Sequence, residues 1–420
     1  MPSYLRQILH TQFFSVLNIL FGFATLYVLI KYMPVVEYGE YVLIQGFIAL
    51  SGLVLSQNIY SYARLYIPGA EKSVQYGYLK TVIGIVFLGY FSILVISYSF
   101  NFEQNIWNFF EISNDLSYLI LMMLGLELIN LEFMRFFIAL KKIYLKNYAQ
   151  FFQKVFVLIS ILLLLYLNLL TLTNFLYTYI VGQVLVFLSF VYSLDVKQLI
   201  VSPFISDVVK KGYHVAIPLL PIGLMSIALN YTDTLMIAKY VSKADVAQYG
   251  FASQIVSIAM MMIGSSIVLT LFPYATEAHN KNEMNLRNVY FLKMLKYGVL
   301  LALLFYIIIY FSAESFIGIL GLEQYSQVPQ YLYILAIFPL FQLIYSVSSH
   351  HLQLLKVFNI QIYISFIIIS FNVIVNYFLI EKYGSMGAAY ASMLSYVFLS
   401  MLYISISLHT QKKELLSNIH

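Results

Sequence analysis

The sequence predicts an all-α integral membrane protein with twelve transmembrane helices in two six-helix lobes related as a parallel repeat. Three observations lead there. Hydrophobic residues make up 61% of the 420 residues and charged residues 10%, where a soluble domain carries about 25% charged. Twelve apolar runs come close to or exceed the roughly 20 residues that a helix needs to cross the hydrocarbon core. Nineteen of the 23 lysines and arginines fall on one side of the alternation that these runs define. A chain so poor in charge cannot cover a soluble particle of its size, so its solvent is lipid. The 38 tyrosines and 34 phenylalanines, against one tryptophan, add the interfacial rings of a membrane protein.

The expected spans lie at 8–30, 41–63, 82–99, 117–138, 155–169, 173–194, 214–238, 247–272, 297–313, 328–349, 358–380 and 386–408. The first is too long for a signal-peptide core and no small-residue cleavage site follows it, so it is expected to stay attached. Only Asn168–Thr173 separates the fifth from the sixth. With the N-terminus inside, the inner segments hold Arg6, Arg64, Lys72, Lys80, Arg135, Lys141, Lys142, Lys146, Lys154, Lys197, Lys210, Lys211, Lys281, Arg287, Lys293, Lys296, Lys356, Lys412 and Lys413. The outer segments hold Lys31, Lys239, Lys243 and Lys382. Lysine and arginine mark the cytoplasmic side, so both termini are expected there.

The longest inner connector, 197–213, separates an N-terminal lobe (1–196, spans 1–6) from a C-terminal lobe (214–420, spans 7–12). Both lobes open alike. Span 1 ends in Lys31-Tyr32 and leads to Tyr38-Gly39; span 7 ends in Lys239-Tyr240 and leads to Tyr249-Gly250. Spans 2 and 8 both finish near a proline, Pro68 and Pro273. Six spans per lobe make the repeat parallel, and such folds typically place their substrate site between the halves near the midplane.

Several function classes are excluded. With no cysteine there is no disulfide, thiolate zinc site or cysteine nucleophile. No two of the seven histidines have the i, i+4 spacing of a helical metal site, and no cofactor is expected. Gly77-Tyr78-Leu79-Lys80-Thr81 has the wrong spacing for a phosphate-binding loop, and no Gly-x-Ser-x-Gly elbow exists. The net charge of +5 is too small to argue for nucleic acid. The largest outer loop, about Asn101–Leu116, is short for a membrane polymerase or glycosyltransferase. The enzyme reading is therefore poor.

Polar residues inside the spans are the candidate machinery. Thr11, Ser15, Asn18, Gly22 and Thr25 form one stripe on span 1, which suits either a close helix seam or a cavity wall. Span 2 carries Gln57, Ser61 and Arg64 on one face; Arg64 either reaches the inner interface or grips an anion with its guanidinium fork. In span 4, Glu132 and Arg135 are spaced to pair, while Glu127 lies deeper without a local partner. A structural ion pair and a transport role are both open for Glu127. In span 7, Pro218 and Pro221 are expected to loosen the first turns. Beyond them Ser226, Asn230, Asp233 and Thr234 share a face, and Asp233 is the one aspartate inside any span. Gln254 and Ser257 in span 8, and Asn372 and Asn376 in span 11, complete the set.

Short segments carry a family resemblance. Met33-Pro34-Val35-Val36-Glu37-Tyr38-Gly39-Glu40-Tyr41 resembles the signature of Wzx-type polysaccharide flippases, members of the multidrug/oligosaccharidyl-lipid/polysaccharide exporter superfamily. Asp233-Thr234-Leu235-Met236-Ile237, the Tyr249-Gly250 turn (the family order is Gly-Tyr), Pro273 and Tyr383-Gly384-Ser385-Met386-Gly387-Ala388-Ala389 are similar to it as well. The likeness in layout covers the whole chain. Lipid II flippases of the superfamily carry two further C-terminal helices, so the resemblance is to twelve-span members. It implies a V-shaped, alternating-access exporter in the bacterial inner membrane. The implied cargo is an undecaprenyl-diphosphate-linked oligosaccharide, moved from the cytoplasmic to the outer leaflet for surface polysaccharide assembly, with a polysaccharide polymerase as partner. Arg64 and Arg135 are then the expected diphosphate ligands. Asn18, Gln57, Ser61, Asn230, Gln254 and Asn372 are the expected sugar contacts, and Asp233 and Glu127 the coupling or gating residues. A cation-coupled multidrug exporter of the same architecture is the alternative, and a membrane-bound polymerase or glycosyltransferase a second.

Overall fold

Inside hydrocarbon, helix is the one open backbone structure that satisfies every peptide group within its own segment. In a computed structural model, which describes residues 3–56, 70–99, 102–355 and 357–417, the elements are helices throughout. The first half comprises α1 (Ser3–Tyr32), α2 (Val35–Ser56), α3 (Lys72–Ser99), a short α4 (Phe102–Phe109), α5 (Ser117–Ala139), α6 (Ile143–Tyr166), α7 (Leu172–Ser193) and a short α8 (Val196–Val201). The second comprises α9 (Ser206–Tyr240), α10 (Lys243–Asn280), α11 (Met284–Leu320), α12 (Val328–Leu335), α13 (Phe338–Leu354), α14 (Phe358–Tyr383) and α15 (Ser385–Ser417).

Among the described residues, eleven helical stretches are long and apolar enough to cross a membrane, and Val16–Tyr32 of α1 is a shorter apolar stretch. One crossing, Val328–Leu354, is built from α12 and α13 and breaks at Ala336–Ile337. Pro339 in the first turn of α13 has no N–H to continue the ladder. Each of the twelve expected spans thus meets a helix. The chain is a multi-pass membrane protein.

It packs as two compact units, Met1–Gly223 and Leu224–His420. In the first, α1 lies along α6, α7 packs on α5 and α6, and α2 and α3 pack on α5. In the second, α10 packs on α11 and α13, and α15 on α13 and α14. Phe91, Phe152, Ile159, Leu300, Phe311 and Ile319 point outward, while Ser348, Ser365, Ser392, Ser395 and Ser400 are buried. Large apolar groups facing out and small polar ones in the seams are what a lipid solvent selects.

Two expectations change. The fifth span was expected to start at 155, but α6 starts at Ile143. Lys146 and Lys154 therefore lie inside a helix, because a charge near an apolar run does not by itself end the helix. Pro218 and Pro221 do not loosen first turns: α9 already begins at Ser206 and runs through both. Each proline removes one donor from the helix interior, and the helical backbone continues past it. Arg64 and Pro68 lie outside the described residues, as do Gln57 and Ser61.

Side-chain contacts fix the register of the internal repeat. Glu37 Oε2 accepts from the Leu172 N–H (2.5 Å), at the start of the sixth spanning helix. Asp245 Oδ1 accepts from Ser385 Oγ (2.8 Å), at the start of the twelfth. Three residues on, Glu40 Oε1 accepts from the Ser113 N–H (2.6 Å) just before α5, and Gln248 Oε1 from the Gln327 N–H (3.0 Å) just before α12. Lys31–Tyr41 and Lys239–Tyr249 thus align without a gap, pairing Glu37 with Asp245, Glu40 with Gln248 and Tyr41 with Tyr249. The Tyr38-Gly39 match to Tyr249-Gly250 was three residues out of register; equivalent contacts, not a shared dipeptide, set the alignment.

The connector after α7 is tied to α3 within the first unit. Lys80 Nζ donates to the carbonyls of Ile200 (2.8 Å) and Ser202 (3.0 Å), and Thr81 Oγ1 accepts from the Ile205 N–H (2.9 Å). A Cβ at Gly77 would come within 2.6 Å of the Pro203 carbonyl oxygen, so this close approach requires glycine.

Candidate functional site

Each unit buries a polar centre. In the second, α9 carries Asp233, which is 1% exposed. Three neighbouring helices supply its donors. The Tyr249 hydroxyl of α10 and the Ser392 hydroxyl of α15 both donate to Oδ2. Asn376 of α14 donates from Nδ2 to Oδ1 at 2.8 Å. One turn earlier on α14, Asn372 donates to Ser395 Oγ at 3.1 Å. The side-chain oxygens of Asn372 and Asn376 are buried without a hydrogen-bond partner.

A buried carboxylate with two unmatched amide oxygens and two hydroxyls nearby is an all-oxygen set. It suits a proton on Asp233 or a small hard cation. No group of three or more His, Cys, Asp or Glu with metal-binding potential occurs among the described residues. A multi-carboxylate site for a divalent ion is not what these residues make.

Among the described residues, the hydrogen-bond partners of Asp233 are neutral side chains, and the surrounding backbone is continuous helix. This arrangement corrects one expectation. Asn372 does not line an open cavity. It is 0% exposed and belongs to the surroundings of Asp233. Asn230 is exposed on α9, with Nδ2 donating to the Ser226 carbonyl at 2.7 Å, and Gln254 is half-buried on α10.

In the first unit, Glu132 and Arg135 form the expected pair, Arg135 Nη1 lying 2.5 Å from Glu132 Oε1 with the two side chains 16% and 4% exposed. Arg135 therefore cannot be counted as an open diphosphate ligand; part of its guanidinium already neutralises a buried carboxylate. Asn130 bridges α5 to α7 through two bonds to Gln183, at 2.9 Å to its carbonyl and 2.8 Å to Oε1. Glu127, half-buried on α5, has no hydrogen-bond or ion-pair partner among the described residues.

The polar stripe of α1 faces α6. Thr11 Oγ1 accepts from Asn147 Nδ2 (3.4 Å), and the Asn18 carbonyl accepts from Lys154 Nζ (2.8 Å). Both pairs keep one offset along two parallel helices, so the stripe is a helix seam; the Ser15 side chain lies outside the described set. The amide oxygen of Asn18 is buried without a hydrogen-bond partner. Lys154, halfway along α6, was not singled out from sequence, because it had been assigned to the loop before the fifth span. A lysine flanked on both sides by long helix-forming stretches was the available signal.

An apolar cavity of about 440 Å³ between α2, α3, α4 and α5 is lined by Phe47, Val54, Tyr90, Trp107, Phe110 and Leu124 among others. The Tyr90 hydroxyl is already donated to the Leu121 carbonyl (2.7 Å), so this cavity offers a sugar or a phosphate little to bind.

The family described as MatE matches residues 218–378, which include Asp233, Tyr249, Asn372 and Asn376. Among solved structures, the chain resembles an inward-facing multidrug resistance MATE family transporter of the MOP superfamily. The TM-score is 0.73 at 13% identity, covering 94% of this chain and 95% of that one. It also resembles the lipid II flippase MurJ in an inward closed conformation, with TM-score 0.70 at 16% identity over 96% and 87% of the two chains. A MOP superfamily transporter from Pyrococcus furiosus follows at 0.61 and 12%, over 97% and 93%. No curated protein sequence matches. At these identities the likeness establishes the fold, that of the MATE and MOP transporters.

Proposed function

We propose that this chain is a flippase that carries a polyprenyl-diphosphate-linked oligosaccharide across the membrane, coupled to a small cation or proton taken up at Asp233. The observation that carries this reading is the burial of Asp233. A cationic drug needs open carboxylates; here Asp233 is enclosed by Tyr249, Asn376 and Ser392, and Glu132 is paired with Arg135. An enclosed carboxylate with unmatched amide oxygens suits a coupling site better than a cargo site.

The cargo reading is further supported by the likeness in fold to a lipid II flippase and by the Glu37–Tyr41 segment. A diphosphate suits the guanidinium fork of Arg64, a sugar chain suits amides such as Asn230 and Gln254, and a polyprenyl tail remains in lipid. Gln57 and Ser61 keep their assignment as sugar contacts; Asn18, in the seam between α1 and α6 with its amide oxygen buried, does not. The chain would reside in the bacterial inner membrane with both termini cytoplasmic, export toward the outer leaflet, and hand its product to a polysaccharide polymerase.

Multidrug export is the second reading. Glu127 favours it, as a half-buried carboxylate without an ion-pair partner among the described residues, as does the likeness to a multidrug transporter. Complementation separates the two. In a host deleted for its polysaccharide flippase, the native chain should restore surface polysaccharide, Arg64→Ala should not, and Arg64→Lys should restore it partly, because a point charge lacks the fork. Raised drug resistance without any polysaccharide would favour the exporter.

A further inference from the structure

Lys154 sits halfway along α6, a 24-residue helix, so it lies near the middle of its crossing. A charge at that depth costs about 2.5–3.5 kcal/mol on insertion scales and persists where it has a counter-charge or a function. Lys154 is half-buried and donates to the Asn18 carbonyl at 2.8 Å. Its ammonium carries three donors, and that carbonyl is its one hydrogen-bond partner among the described residues. No carboxylate there lies within ion-pair distance of it.

The ammonium packs against one turn of α1. A Cβ on Gly22, one turn after Asn18 on α1, would lie 3.1 Å from Lys154 Nζ. The ammonium thus lies directly over Gly22, and a side chain there would push it aside by a few tenths of an ångström. The buried amide oxygen of Asn18 has no hydrogen-bond partner and belongs to the same turn.

The sequence of α6 is asymmetric about this point. Lys146, Asn147, Gln150, Gln153 and Lys154 crowd its first half, and no charged or amide residue follows Lys154 before the helix ends at Tyr166. Polar side chains thus accompany the helix from its Ile143 end to the middle and stop at a cation. Asn147 ties α6 to Thr11 of α1, but a structural tie needs no charge at Lys154, where a neutral amide would bond a carbonyl at lower cost.

We propose that Lys154, in the notch formed by Gly22 and Asn18, is the midplane binding residue for the phosphate group of a lipid-borne anion. The assignment rests on the flippase reading for the identity of that anion, a polyprenyl diphosphate. Such a headgroup loses most of its hydration near the bilayer centre, where a counter-charge lowers its free energy. A lysine is suited to a transit position, because its compact charge on a flexible stem follows a moving phosphate without a fixed bidentate geometry.

The test uses the full chain in nanodiscs of uncharged lipid and measures binding of undecaprenyl diphosphate, undecaprenol and phosphatidylglycerol. Lys154→Gln keeps length and polarity and loses the charge; Lys154→Arg keeps the charge. Undecaprenyl diphosphate should bind the native chain, bind Lys154→Gln about tenfold more weakly, and bind Lys154→Arg within a few-fold of native, since a charge-assisted hydrogen bond is about twice as strong as a neutral one. Undecaprenol should not distinguish the three. Loss of phosphatidylglycerol binding alone in Lys154→Gln keeps the phosphate notch and removes the flippase reading. Equal binding of both anions to native and Lys154→Gln protein, each monodisperse, overturns the proposal.

Discussion

Replacing Asp233 with asparagine removes a charge and leaves the shape of the side chain. The Tyr249 and Ser392 hydroxyls can still donate to an amide oxygen, and Asn376 can turn its own oxygen toward the new NH2 group. Asp233→Asn should therefore change stability by less than about 1 kcal/mol yet abolish coupled transport, read by thermal unfolding beside a transport assay. Full transport by this variant would remove the charge from the mechanism. The Glu132–Arg135 pair behaves differently. Arg135→Ala leaves a buried carboxylate unpaired and should cost about 3–5 kcal/mol, whereas the double variant Arg135→Met, Glu132→Gln should recover most of that loss. Unfolding of the single and double variants in one detergent measures it; a single variant as stable as the native chain would mean that the pair contributes nothing.

At the scale of elements, helix ends in each half are held by the start of its second spanning helix. Glu40 is buried and accepts from the Ser113 N–H. Glu40→Ala leaves that backbone donor without this acceptor and should destabilise the first unit by about 1–3 kcal/mol. Glu40→Gln, which is what Gln248 already is in the second half, should cost less. Hydrogen exchange at 113–120 reports the difference, and unchanged protection there in Glu40→Ala would show the clamp to be idle. The clamps also explain what was legible in the sequence. Apolar length and the Lys31-Tyr32 and Lys239-Tyr240 echoes give the spans and hint at duplication. The Lys31-Tyr32 and Lys239-Tyr240 echo already has the register of the clamps, and the Tyr-Gly match three residues off obscured it. The clamp side chains could not correct that from sequence, because they differ in type and their shared role is a contact with helices far away in sequence. Lys154 was misplaced for a related reason: hydropathy stops at a charge, and helices do not. Asp233 was found because it is the one aspartate within a span, but its partners Tyr249, Ser392 and Asn376 come from three other helices that only packing brings together.

For the whole molecule, topology follows from charge. Moving Lys146 and Lys154 from the inner loop into α6 leaves the inner excess of lysine and arginine large, so the expected orientation stands as a proposal. Cysteines placed at Asn105 and Gln324 in this cysteine-free chain should react with an impermeant maleimide added outside intact cells, and one at Lys281 should not. Outside labelling at Lys281 would reverse the orientation and, with it, the direction of export. The central claim, that a lipid-linked anion is moved between leaflets under control of Asp233, has a direct measurement. Liposomes holding the full chain and a fluorescent polyprenyl-diphosphate oligosaccharide can be quenched from outside to follow the fraction of label in the outer leaflet. The native chain should equilibrate the probe between leaflets within minutes, and Asp233→Asn should leave it where it started, like protein-free liposomes. A native chain that leaves the lipid in place yet moves a cationic dye across the same membrane would contradict the account.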